Sequence, residues 1–431
     1  MPPGDDGPSS LKETFPGAAA AVAAASAVPA GADEIARRAA RLHRDAIVVD
    51  THEDVPWELD EKWADVGLRG ATRHFDLPRA KEGGLSAAFF AAYVPAVYAD
   101  TGGAAKKALD LIDLVHRVVE AHPADLAFAA SADDVRRIKR EGRMAVLTGI
   151  EGGHAIEDSL GALRDFWRLG VRYMTLTHTN TNHWADSSGS FTSPDFDPKK
   201  ARVHGGLTGF GRAVVLEMNR LGMMVDVSHV SDETIDDVLS VSRAPVFASH
   251  SSCRALSPIP RNLTDDQIRR IGAGGGVVMI NVSAMFIDGE AAAEYRARIA
   301  ALATPYEALK AKWGSDPLRL DREANALFDA VPPARADWTK VVDHVERVMR
   351  IAGPGAAGLG SDFDGIPDPP DGLEDVSKLP RITEELLRRG HSEEEVRGVL
   401  GENFLRFFAR VEEAARGLRA ETPSTAAIGE R

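Results

Sequence analysis

Eight short apolar runs separated by amphipathic helical segments constrain this chain more than any other feature. They are AIVVDTH (46–52), LSAAFFAAYV (85–94), MAVLTGIEGG (144–153), VRYMTLTHT (171–179), MMVDVSHV (223–230), PVFASHSS (245–252), GVVMINVSA (276–284) and AAGLGSDFDG (356–365). Each has strand length and is continuously apolar rather than alternating, the pattern of strands buried on both faces beneath helices. Segments such as KKALDLIDLVHRVVEAH (106–122) and ETIDDVLSVS (233–242) supply the intervening amphipathic helices. This alternation predicts an α/β chain folded as a (β/α)8 (TIM) barrel in preference to a doubly wound sheet. The stretch from Phe286 to about Gly353 is long, charged and helical in pattern. It reads as a helical insertion after the seventh strand, not a separate domain.

The 431 residues suit one decorated barrel. Residues 1–35 form a lead rich in Ala, Pro and Gly, 36–420 the expected (β/α)8 domain, and 421–431 a frayed tail. The lead contains GAAAAVAAASAVPAGA (17–32), but Asp5, Asp6 and Glu13 precede it against Lys12 alone. A secretory signal wants a basic start and a more strongly apolar centre, so a cytoplasmic location is the expectation. No apolar run approaches the ~20 residues of a membrane span. A formal net charge of -14 disfavours nucleic acid and anionic membrane surfaces as partners. Cys253 is the single cysteine, which excludes an internal disulfide and a thiolate zinc site. It is expected to pack as a small core residue.

The ends of the runs carry the chemistry. The first ends in His52 with Asp54 two residues on, the third near Glu151, and the fourth at His178. The fifth ends at His229, the sixth at His250 and the eighth near Asp362. Active sites of such barrels lie at the C-terminal ends of the strands, so these residues should converge on one mouth. One buried His is more often a hydrogen-bonded core residue than a ligand, but four at four strand ends are hard to explain structurally. His52 and Asp54, at i and i+2, point the same way in an extended strand. His229 and His250 end successive strands, and Glu151 lies between the two groups, where its oxygens can bridge two metals. Three His and two carboxylates suit Zn²⁺ or a similar divalent ion, and two such ions ~3.5–4 Å apart can share a hydroxide and polarise a carbonyl. Asp362, with Asp364 as its rival, can shuttle a proton. Arg261 can grip a substrate carboxylate, with a surface salt bridge as the plain alternative. His178 can donate to a scissile carbonyl oxygen. His154 and His183 are assigned to packing, solvent or supporting roles.

From about Arg41 to about Ala415 the chain resembles the membrane (renal) dipeptidase family of the amidohydrolase superfamily. The resemblance is carried by DTHEDVPWEL, GIEGGHAIEDSLGALRDFWRLGVRYMTLTH, NTNHWADS, GLTGFGRAVVLEMNRLGMMVDVSHVSDET, SHSSCRALSPIPRNLTDDQI, GSDFDGIPDPPDGLEDVSKLP and GENFLRFF. It implies two zinc ions, one held by His52 and Asp54, the other by His229 and His250, with Glu151 bridging. It further implies that His178 contacts substrate, Arg261 binds its carboxylate and Asp362 is the acid/base. The implied reaction is hydrolysis of small dipeptides, including those with a C-terminal D-residue. The alternatives are an N-acyl-D-amino-acid hydrolase on the same metals and a catalytically silent metal-binding barrel. Glu53 departs from the Asn many relatives carry after the first ligand His. Family members are commonly homodimers, a state the residues do not show independently. The lipid anchor and disulfides of animal relatives have no counterpart in one Cys and a tail ending IGER.

Overall fold

A computed structural model describes residues 30–428. The Ala-rich lead up to residue 29 and residues 429–431 lie outside the described residues. Nine parallel strands alternate with helices: β1 Val49–Glu53, β2 Ala87–Tyr93, β3 Leu126–Phe128, β4 Met144–Glu151, β5 Val171–Thr175, β6 Met224–Asp226, β7 Phe247–Ala248, β8 Val277–Ile280 and β9 Ala357–Leu359. Eight of them run in the order β1-β2-β4-β5-β6-β7-β8-β9, and β3 pairs with β4 off this path. Seven of the eight fall within the apolar runs, and β1 passes the end of the first run by one residue. The short β3, in DLAFAA, is an addition that no apolar run announced.

The sheet closes on itself just beyond β1 and β9. The Asp362 amide donates to the His52 carbonyl at 3.0 Å, and the Asp54 amide to the Phe363 carbonyl at 2.9 Å. Closure removes both sheet edges and fixes the mouth. Inside, Val49, Phe89, Leu147, Tyr173, Phe247 and Met279 pack as a separate core. Phe404, Phe407 and Phe408 of the helix Asn403–Leu418 close it from the end opposite the mouth. Outside, Val48, Phe90, Val146, Ile150 and Met174 face the helices. Two separate cores explain why the strands read as uninterrupted apolar runs.

The insertion is shorter than the sequence pattern suggests. Helices Gly289–Ala300, Ala303–Trp313 and Pro317–Asp329 belong to it. The following helix, Thr339–Ala352, buries Val341, Val342, Val345 and Val348 and packs on β8 and β9 as the ordinary crossover helix. Charge on its outer face made it look continuous with the insertion. At the other end, residues 421–426 are tied down rather than frayed. Arg243 pairs with Glu421 at 2.8 Å, and Arg164 donates to the Ser424 carbonyl.

Phe404 is fully buried against Phe89, Phe247, Phe407 and Phe408. Phe404→Ala should therefore cost about 3–5 kcal/mol, read as a lower midpoint in urea denaturation with an unchanged slope.

Candidate active site

The residues singled out at the strand ends do meet at the mouth. One oxygen of Glu151, Oε1, lies 2.9 Å from His229 Nε2, 3.2 Å from His250 Nε2 and 3.7 Å from His52 Nε2. His52 Nε2 is also 3.4 Å from Asp54 Oδ2 and 3.9 Å from Asp362 Oδ1. The Nε2 atoms of His229 and His250 are 2.9 Å apart. His178 joins Glu151 and His229 in a group whose ligand atoms lie within 4.8 Å of one another.

Local backbone explains how each gets there. β1 matches Asp50 to Ala88 and Glu53 to Phe90 of β2, so three steps on one strand face two on the other. This irregularity breaks simple alternation, and Asp54 lies past the strand as the residue capping the helix Val55–Glu61. The expected pairing of His52 with Asp54 thus holds by contact, although the strand geometry that suggested it does not extend that far. His229 and Asp362 have φ of 67° and 68°. A left-handed backbone costs a non-glycine residue of order 1–3 kcal/mol and persists where the surroundings enforce it. Asp364, also left-handed at φ 64°, is directed elsewhere. Its oxygens accept from the amides of His74 and Phe75, so it does not compete with Asp362.

A supporting layer orients the rings. Ser249 Oγ donates to Asp226 Oδ2 at 2.6 Å and meets His250 Nδ1 at 2.7 Å. His250 therefore carries its proton on Nδ1 and turns a lone pair on Nε2 inward. Tyr173 OH meets His52 Nδ1 at 2.7 Å. The Tyr173 ring needs Gly149, where a Cβ would come within 2.1 Å of it. Asn281 donates to Asp362 Oδ2 at 2.7 Å, leaving Oδ1 facing the cluster. The readings at the strand ends did not include Tyr173, Asp226 or Asn281. Asn281 stands out in the sequence as a polar residue inside the largely apolar seventh run, just after β8.

Arg261 is buried, not a surface ion pair. It donates to Ser251 Oγ at 3.0 Å and to the His250 carbonyl at 3.2 Å, lies 5.1 Å from the centre of the Phe286 ring, and its Nε has no partner. Its loop is held by Asn262, whose side chain binds Ser252 N and the carbonyls of Ser257 and Phe286. His154 is buried against the Pro95 carbonyl, and exposed His183 pairs with Asp158. Cys253 is buried beside His344, as expected of a core thiol.

The electrostatics ask for a cation. Burial pushes Glu151 well above the ordinary carboxylate range and Asp362 up to about 7. Burial holds His178, His229 and His250 well below the ordinary imidazole value. Burial opposes the charged form of His52 too, but Glu151, Asp54 and Asp362 outweigh it and raise that ring to about 10. Its proton does what a bound cation would do. His52 Nε2 and Asp54 Oδ1 are buried with no hydrogen-bond partner, and every donor is nitrogen or carboxylate oxygen. Such a set fits a divalent ion of the zinc type.

The model of the membrane dipeptidase family, peptidase family M19, matches residues 36–422. The chain belongs to that family. Dipeptidase 3 of Mus musculus is 35% identical over 399 residues, covering 91% of this chain and 70% of the mouse protein. Dipeptidase 3 of Rattus norvegicus is likewise 35% identical, with 71% of its length covered. Among solved structures, the probable dipeptidase PvdM from Pseudomonas aeruginosa superposes with a TM-score of 0.74 at 26% identity, covering 89% of this chain and all of that one. A metallo peptidase from Rhodobacter sphaeroides, liganded with a phosphinate mimic of the dipeptide L-Ala-D-Ala, gives 0.69 at 27% identity over 85% of this chain and all of its own. The chain is accordingly a metal-dependent hydrolase of the dipeptidase class. No helix among the described residues is long and apolar enough to cross a membrane.

A metal held by His52 would need that ring without its proton, so uptake below about pH 10 would release it. Zinc titrations by calorimetry at pH 7, in buffers of different ionisation heat, should show about one proton or more released per chain. Affinity should weaken about tenfold per unit as the pH falls. Heats independent of the buffer would contradict this account.

Proposed function

We propose that this member of the family is a binuclear zinc dipeptidase that tolerates a D-residue at the C-terminal position. His52, Asp54 and Glu151 would hold one ion, and Glu151, His229 and His250 the other. The observation that carries this reading is the single Glu151 oxygen set among three imidazole nitrogens at 2.9, 3.2 and 3.7 Å. When bound, the ions supply Lewis-acid polarisation of the scissile carbonyl and activation of the attacking water.

The remaining work falls to side chains. The guanidinium of Arg261, with Nε free, takes the substrate's terminal carboxylate and so fixes which bond reaches the cluster. His178, kept neutral by burial, donates to the carbonyl oxygen as negative charge grows there. Asp362, raised to about 7 by burial and anchored at Oδ2 by Asn281, uses Oδ1 to accept the proton of the attacking water and return it to the leaving amine. Tolerance of a D-residue is supported by the Rhodobacter sphaeroides relative, whose ligand mimics L-Ala-D-Ala.

Zinc-loaded protein should hydrolyse both Ala–D-Ala and Ala–Ala, and chelation should abolish both activities. Asp362→Asn should lower kcat by about 100-fold or more with metal content intact by mass spectrometry. Full turnover by that variant would reject the proton-transfer role. Arg261→Met should chiefly raise KM for dipeptides and leave little discrimination against C-terminally amidated analogues.

A further inference from the structure

The cluster opens into a cavity of about 340 Å³ whose far wall comes from the insertion. Met285, Phe286, Tyr295, Phe328 and Ile366 are among the apolar residues that line it. Among the described residues lining the cavity, Arg261 is the only Lys or Arg, and it lies beside His250 at the cluster. Of the lining acids, Asp54, Glu151 and Asp362 belong to the donor cluster, and Asp364 is held by two backbone amides. That leaves Asp329.

Asp329 is exposed and has no hydrogen-bond or ion-pair partner among the described residues. It is the last residue of the helix Pro317–Asp329, where the negative pole of the helix adds to its charge. Three cations of the insertion are committed elsewhere, and Arg322, on Asp329's own helix, is not among the residues that line the cavity. Arg296 donates to the carbonyls of Phe191 and Ser193, Arg298 to those of Pro332 and Pro333, and Lys310 pairs with Asp195. Apolar side chains and one carboxylate without a cationic partner among the lining residues thus share the cavity. Such a lining matches a side chain with an aliphatic stem and a cationic tip.

We propose that Asp329 makes the cavity selective for dipeptides carrying a basic side chain, lysine or arginine. The proposal rests on the dipeptidase reading above and specifies its substrate class.

Lysine and norleucine differ at the tip by a charge and little in length, so their comparison isolates the carboxylate. kcat/KM is measured on zinc-loaded full-length protein for Ala–Lys against Ala–norleucine and for Lys–Ala against norleucine–Ala. The wild type should favour lysine by about threefold to fivefold in one of the two pairs, and salt should shrink the preference. Which pair responds identifies the end of the dipeptide that meets Asp329. Asp329→Asn should bring that ratio to about one, and Asp329→Lys should invert it. A wild-type ratio at or below one in both pairs overturns the proposal, as does a ratio unchanged in both variants. Turnover of none of the four dipeptides overturns it together with the dipeptidase reading.

Discussion

The carboxylate of Glu151 lies at hydrogen-bond distance from the Nε2 atoms of His229 and His250, with His52 Nε2 only slightly farther, and the rest of the architecture depends on making that meeting tolerable. Three imidazoles and three carboxylates share a buried space a few ångströms wide. Without positive charge, such a space would favour protonated acids and neutral rings. Burial drives Glu151 and Asp362 in that direction, while His52 takes up the compensating charge. A divalent ion answers the same demand and leaves the carboxylates ionised.

The barrel makes this concentration of polar groups affordable by separating tasks along its axis. At the closed end, interior aromatics and Phe404, Phe407 and Phe408 form a dry plug. At the open end, the chain leaves regular strand geometry just where the site begins. β1 is irregular, β5 and β6 stop before His178 and His229, and Asp362 follows β9 in a left-handed turn. Strand carbonyls and amides freed there are taken up by Asp226, Asp50, Asn262 and the closing bonds between the β1 and β9 ends. The irregular backbone at the mouth sets where His229 and Asp362 leave their strands.

The insertion adds a roof to an otherwise generic mouth. Arg296 and Lys310 fasten it to the loop that carries Phe191 into the cavity. The donor cluster and the rest of the cavity lining are then held by different parts of the chain: strand ends carry the cluster, and the insertion contributes Tyr295, Asn325, Phe328 and Asp329 to the lining. Such a division lets substrate preference vary without disturbing the donor cluster.

Much of this is legible in the sequence. Apolar runs broken by amphipathic helices are enough for a barrel, because strands buried on both faces lose their alternation. His and acidic residues at the ends of those runs are enough to name His52, Asp54, Glu151, His178, His229, His250 and Asp362 as one cluster. Strand-end position alone does not rank Asp362 over Asp364, because the choice turns on which carboxylate the distant amides of His74 and Phe75 occupy. Nor could it show that Arg261 is buried under Phe286, that Tyr173 and Ser249 orient the rings, or that the helix Thr339–Ala352 belongs to the barrel. Local pattern records which surface a residue buries and where a strand stops. Which partner it meets there is decided by barrel closure, which brings together groups hundreds of residues apart and leaves no periodic trace in the chain.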